Sequence, residues 1–113
     1  MTAKNTLIQA PPYPVEKAIK NLGVNLRTAR LRRNLTIGDV AEKIGTGPRA
    51  VSDAEKGKIS TGIAVYTALL WVYDLLGPMN ELADPAFDEE GLSLSLSKDR
   101  ARARAKEGLD NDF

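Results

Sequence analysis

Between Thr36 and Gly57 the chain can be helical only in two short pieces, and this punctuation restricts the fold more than any other feature. Thr36 is a good N-cap, and Asp39, three residues on, places a carboxylate near the positive end of the helix that follows. Val40, Ala41 and Ile44 recur at helical spacing and form its inward face. Gly45 stops it as a left-handed C-cap does. Pro48 suits a first helical position, Val51 and Ala54 make the apolar side of a second helix running through Lys56, and Gly57 ends it.

Two short helices joined by a glycine-containing turn of about three or four residues form a helix-turn-helix unit. Before it, Val15, Ile19, Leu22, Leu26 and Ala29 predict a helix from Pro14 to about Arg33, with a weak point at Gly23 and a turn at Asn34-Leu35. After it, a helix is predicted over Thr61 to Leu76. Val65, Leu69, Val72 and Leu76 make one apolar stripe; Ile63, Tyr66, Leu70 and Tyr73 make a second, and Trp71 adds to it. A helix apolar over most of its circumference is buried on more than one side. In a domain this small the second burial is assigned to another copy, with Tyr66, Leu70, Trp71 and Tyr73 as the expected dimer interface. Met79 to Ala83 predicts a short fifth helix, closed by Asp84-Pro85.

The reading is therefore all-α: a five-helix domain over residues 14–85, with a short C-terminal β-strand and flexible tails. Residues 1–13, polar and bearing Pro11 and Pro12, read as a flexible arm. Gly91 to Ser97 alternates strictly, a strand periodicity that puts Leu92, Leu94 and Leu96 on one face. A lone strand needs a partner. Either it pairs with the same strand of a second subunit, making 86–97 an acidic linker and dimerisation strand, or it belongs to a disordered tail. Residues 98–113 read as a charged, disordered tail. Within it, KDRARARAK (Lys98–Lys106) carries five positive charges against one negative; it is either a solvated tail or a nonspecific grip on DNA or an acidic partner.

The net charge of +1 conceals segregation. Residues 1–58 hold eleven Lys/Arg against five Asp/Glu, whereas residues 59–97 hold six Asp/Glu and no Lys/Arg. A basic N-terminal half points to a polyanion partner. The chain lacks cysteine and histidine, so disulfides, thiolate nucleophiles, the commonest general base and the commonest metal ligand are all excluded. Asp88, Glu89 and Glu90 read as solvated rather than as a metal or acid–base site, and Gly57-Lys58 does not complete a phosphate-binding loop. No enzyme, cofactor or metal is expected. The uncharged apolar stretch from Ile63 to Tyr73 is too short to span a membrane, which needs about 20 apolar residues. A cytoplasmic location is expected.

A recognition helix lies in the major groove of DNA with side chains near its N-terminal end at base edges. Arg49, at the second helical position, can fork onto a guanine; Asp53, four residues on, can accept from a cytosine amino group, and Ser52 can bond a base or phosphate. Arg27, Arg32, Arg33, Thr36, Lys43, Lys56 and Lys58 are the candidate phosphate contacts.

The pattern Leu35-Thr36-Ile37, Val40-Ala41, Ile44-Gly45, Val51-Ser52, Glu55 and Gly57 resembles the Xre family of helix-turn-helix regulators, which includes phage repressor and Cro proteins. The resemblance covers about Leu22 to Leu76. It implies a five-helix DNA-binding domain, dimeric binding to an inverted repeat and, usually, repression. It also implies an ion pair between Arg30 and Glu55. Two positions depart from the family: Ile37 stands where glutamine often bonds a phosphate, and Gly47 where serine or threonine often caps the recognition helix. Met79 to Pro85, followed by Asp88-Glu89 and Gly91-Leu92, resembles the end of HipB-type antitoxins. That resemblance implies a kinase-like (HipA-type) toxin as partner and a C-terminal strand paired across the dimer. The expected function is a homodimeric repressor serving as the antitoxin of a type II pair. The alternatives are a stand-alone or phage-type repressor and a protein-interaction module that no longer binds DNA.

Overall fold

The computed structural model describes residues 5–111. Residues 1–4 of the segment read as an arm and residues 112–113 of the segment read as a tail lie outside the described residues. The chain divides into two units, one ending at Gly77 and the other beginning at Pro78.

The first unit holds α1 (Thr6–Gln9), α2 (Tyr13–Arg32), α3 (Ile37–Ile44), α4 (Pro48–Glu55) and α5 (Ile63–Val72). Part of the segment read as an arm is thus helical: Asn5 caps α1 by accepting from the Ile8 N–H at 3.2 Å, and α2 begins at Tyr13. In α2, Pro14 and Glu16 sit in the first turn and Arg30 and Arg32 in the last, as the helix dipole favours. Thr36 and Asp39 start α3 with reciprocal side-chain-to-backbone hydrogen bonds, each of 3.0 Å.

Four successive helices end the same way. Asn34, Gly45, Gly57 and Asp74 each take a left-handed conformation, with φ of 53, 78, 67 and 58°. The N–H of the next residue then reaches the carbonyl five positions back: Leu35 to Arg30, Thr46 to Ala41, Lys58 to Asp53 and Leu75 to Leu70. This closure satisfies helix-end carbonyls and turns the chain sharply. It also corrects the expected end of α5. The apolar periodicity runs on to Leu76, but the helix stops at Val72 because Asp74 reverses the backbone.

Leu26 and Ala29 of α2, Val40 and Ala41 of α3, Val51 and Ala54 of α4, and Tyr66, Leu69 and Tyr73 at α5 form one buried core. Tyr66 and Tyr73 are therefore not available to a second subunit, as their place on the expected dimer interface required; they are 5% and 1% exposed within a single chain. Tyr66 also anchors the preceding loop, its hydroxyl donating to the Lys58 carbonyl at 3.0 Å.

Gly23 does not break α2. It is buried, and a Cβ there would lie 2.6 Å from the Ala54 carbonyl oxygen and 2.7 Å from that of Glu55. Gly57 mirrors it, since a Cβ there would meet the Lys20 Cα at 2.5 Å. The two glycines let α2 rest directly on the backbone that ends α4.

The expected fifth helix is a 3-10 turn, Gly77–Glu81, that begins at the last residue of the first unit. A second such turn, Pro85–Phe87, is capped by Asp84, and α6 (Glu89–Asn111) follows. The expected C-terminal β-strand is not present: Leu92, Leu94 and Leu96 lie in α6, and no strand occurs among the described residues. Residues 98–111, read as a disordered tail, are helical as well. Alternation alone favoured a strand, but a strand here has no neighbour to bond, whereas a helix satisfies its own backbone. Local signals also favour the helix. Asp88 accepts from the Gly91 N–H at 3.0 Å, Glu89 and Glu90 occupy the first turn, and residues 98–107 are mostly alanine, arginine and lysine.

Because all three close approaches at Gly23 (the Ala54 and Glu55 carbonyl oxygens and the Gly57 nitrogen) are with backbone, a methyl group cannot be absorbed by a rotamer change. Gly23→Ala is expected to destabilise the first unit by about 1–3 kcal/mol despite the better helix propensity of alanine. Chemical denaturation followed by circular dichroism checks this; an unchanged midpoint would mean that the helices do not approach so closely.

Candidate nucleic-acid interface

The placement of α4 depends first on its C-terminal end. The guanidinium of Arg30 donates from Nε to Glu55 Oε2 at 2.6 Å and from Nη2 to Oε1 at 2.9 Å. Its Nη1 donates to the Leu35 carbonyl at 3.0 Å. Both side chains are nearly excluded from solvent, at 9% and 5% exposure. One side chain thus holds α2, the turn before α3 and the end of α4 together. The hydrogen bond to Glu55 raises the Arg30 pKa further above its ordinary range, so the guanidinium stays charged.

Tyr73 packs beside this pair with its hydroxyl buried and without a hydrogen-bond partner among the described residues. Burial, reinforced by the nearby Glu55 charge, pushes its pKa above the usual tyrosine value of 10.0. Arg33 clamps the same region. It donates to the Ala29 and Tyr73 carbonyls, each at 2.9 Å, and lies over the Tyr73 ring at 5.4 Å from the centroid. Arg33, expected at a phosphate, is therefore a structural contact between the ends of α2 and α5.

With Val51, Ala54 and Glu55 turned inward, α4 presents Arg49, Ser52 and Asp53 outward at i, i+3 and i+4. The Arg49 side chain is exposed and makes no hydrogen bond or ion pair with any described residue, while Ser52 is half-buried. Asp53 Oδ1 lies 3.4 Å from Lys58 Nζ in a solvent-accessible pair whose lysine is exposed and whose carboxylate is partly buried. Such a pair is worth about 0–1 kcal/mol, small enough for a ligand to displace. Gly47 caps α4 without a side-chain hydrogen bond.

The remaining phosphate candidates separate. On α2, Lys20, Gly23, Arg27 and Arg30 share one stripe at helical spacing, and its inner members touch the end of α4. Arg27 belongs to that flank. Arg32 lies on another side, in a groove with Asn25, Thr28 and Leu75. Lys56 and Lys58 line a shallow groove of about 370 Å³ beside Gly57, together with Lys20 and Glu16. Lys20, bonded to Glu16 at 2.9 Å, was not among the sequence candidates; its spacing from Gly23 and Arg27 was the available signal. Lys43 is exposed near the far end of α3 from Thr36. Thr36 is occupied as a cap, and the Asp39 carboxylate stands at the start of α3. The Thr36 backbone N–H and hydroxyl hold Asp39 below the usual carboxylate range. That fixed negative charge makes the N-terminus of α3 a poor phosphate site.

No group of carboxylates among the described residues is placed to hold a metal ion, and no described helix is long and apolar enough to cross a membrane. Residues 21–82, more than half of the chain, match the family described as Helix-turn-helix domain, and the chain belongs to that family. No curated protein and no solved structure matches it. The family and the geometry together point to DNA binding, with α4 in the position of a recognition helix.

Truncating one partner of the buried pair strands the other charge. Glu55→Ala is expected to cost about 3–5 kcal/mol, read as a large fall in melting temperature; wild-type melting would show that the pair does not hold the unit. Alkali acts through Tyr73. Its raised pKa means that the contribution of the neutral phenol is complete below pH 10 and is lost as pH rises above that value. Tyr73→Phe is expected to match or slightly exceed wild-type stability at pH 7 and to lose less of it in alkali. Melting curves at neutral and alkaline pH provide the comparison, and equal alkaline losses would exclude Tyr73 as a source.

Proposed function

We propose that the chain is a sequence-specific transcriptional repressor that binds duplex DNA as a homodimer. The observation that carries this reading is the outward side of α4, where Arg49 is exposed and unpaired while the opposite side is locked into the core. In this reading α4 enters the major groove. Arg49 forks onto a guanine, Ser52 and Asp53 contact neighbouring positions, and Arg27, Lys56, Lys58 and Lys20 set the register on phosphates. Homodimerisation is supported by the side of α5 left exposed: Ile63 and Trp71 are 66% and 63% accessible, with Leu70 half-buried beside them. A twofold dimer calls for an inverted-repeat site.

The narrower reading, an antitoxin paired with a kinase-like toxin, drew on a C-terminal strand shared across the dimer. Leu92, Leu94 and Leu96 lie in a helix instead, so that reading keeps only the short Met79–Leu92 resemblance. An interaction module without DNA binding draws support from Asp39 at the start of α3 and from the uncapped Gly47.

A gel-shift titration with DNA from upstream of the chain's own gene, against scrambled DNA, tests the repressor reading. Specific binding that weakens with salt is expected, with an isolated half-site bound more weakly than the repeat. Arg49→Ala is expected to weaken specific binding by about 1–3 kcal/mol and to relax one base position. Equal affinity for both DNAs, or an Arg49→Ala profile identical to wild type, would remove α4 as the reader.

A further inference from the structure

Helix α6 carries its charges in a pattern that no strand or disordered tail would produce. At 100° per residue, Lys98, Arg102 and Lys106 run along one side of the helix, and Arg100 and Arg104 run along the side about 180° away. Between these rows, on one face, lie only small neutral residues: Ala101, Ala105 and Gly108. The remaining face carries Asp99, Ala103 and Glu107, so the acids are turned away from the small face. All of these positions are exposed.

We infer that the Lys98–Gly108 stretch of α6 is a second DNA-binding element, which lies in a duplex groove and holds the phosphates of both walls. A single acidic surface would meet one row of cations and leave the other in solvent. Two opposed rows on a cylinder about 10–12 Å across instead match a cleft with negative charge on both sides, and the major groove is about 12 Å wide. The alanines and Gly108 allow the helix backbone to approach the groove floor without steric hindrance, and they offer no hydrogen bonds to base edges. The contact is therefore independent of sequence. The inference deepens the DNA-binding reading above and rests on it. Tethering to the helix-turn-helix makes the second contact intramolecular, which raises affinity without a new specificity.

The test uses the full chain and a fluorescent duplex of random sequence, titrated at several salt concentrations. Three variants are compared with wild type: Lys98, Arg102 and Lys106 to Gln; Arg100 and Arg104 to Gln; and all five together. Glutamine keeps helix propensity, and circular dichroism verifies that α6 remains. Each lost phosphate contact is expected to lower the slope of log K against log salt by about 0.9, so all five together remove about 4.5 and each row removes its own share. An unchanged slope in the fivefold variant overturns the proposal, as does an effect confined to one row or tighter binding of wild type to polyglutamate than to DNA. Arg49→Ala separates the two readings. If α4 is not the reader, wild type shows no preference for upstream DNA, yet the α6 variants still lose slope. If α6 is not a DNA element, the preference remains and the slope does not move.

Discussion

The bidentate pair between Arg30 and Glu55 is the interaction on which the rest of the first unit depends. It ties the end of α4 to α2, and through the Leu35 carbonyl it fixes the turn from which α3 departs. A buried pair is weak evidence for net stability, because desolvation opposes most of the Coulombic gain. Its consequence here is positional. α4 has no side-chain cap at Gly47, so its orientation is set from the opposite end, which leaves Arg49 projecting from a rigidly held but lightly capped first turn.

That pair can form only because the backbones come close. Gly23 and Gly57 remove the side chains that would keep α2 from the end of α4, and the left-handed closure at Gly57 sends the chain away immediately afterwards. The core is small, with nine buried apolar residues among the described residues, so few contacts are available to compensate for an error in this approach. The arginines of α2 divide accordingly. Arg30 and Arg33 are spent on the fold, one on a carboxylate and one on carbonyls and a ring, while Arg27 and Arg32 remain at the surface on different sides.

Helix α6 illustrates how one sequence can support two periodicities. Leu92, Leu94 and Leu96 alternate as a strand would, yet Asp88, Glu89 and Glu90 start a helix and the arginine–alanine run continues it. The same run that looks like an undirected cluster of charge in a tail becomes two opposed rows once it is wound at 3.6 residues per turn.

Much of the fold and part of the candidate site were legible in the residues themselves. Local rules operate over three or four positions, so the Thr36–Asp39 cap, the closures at Gly45 and Gly57, the short pair of helices and the outward set Arg49, Ser52 and Asp53 could all be read from spacing. What the sequence could not determine are matters of which element meets which. Apolar character put Tyr66 and Tyr73 on a second buried side, but whether that side faced the same chain or another copy was decided by the packing of α5 against α3 and α4 and of Tyr73 against the end of α2. Positive charge marked Arg33 for a phosphate, but its distance to the Tyr73 carbonyl, forty residues away, gave it a structural task. Gly23 read as a weak point of a helix and is instead where a second backbone arrives. Capping, turn and periodicity signals are local and are written along the chain; partners distant in sequence are selected only when the whole unit is packed.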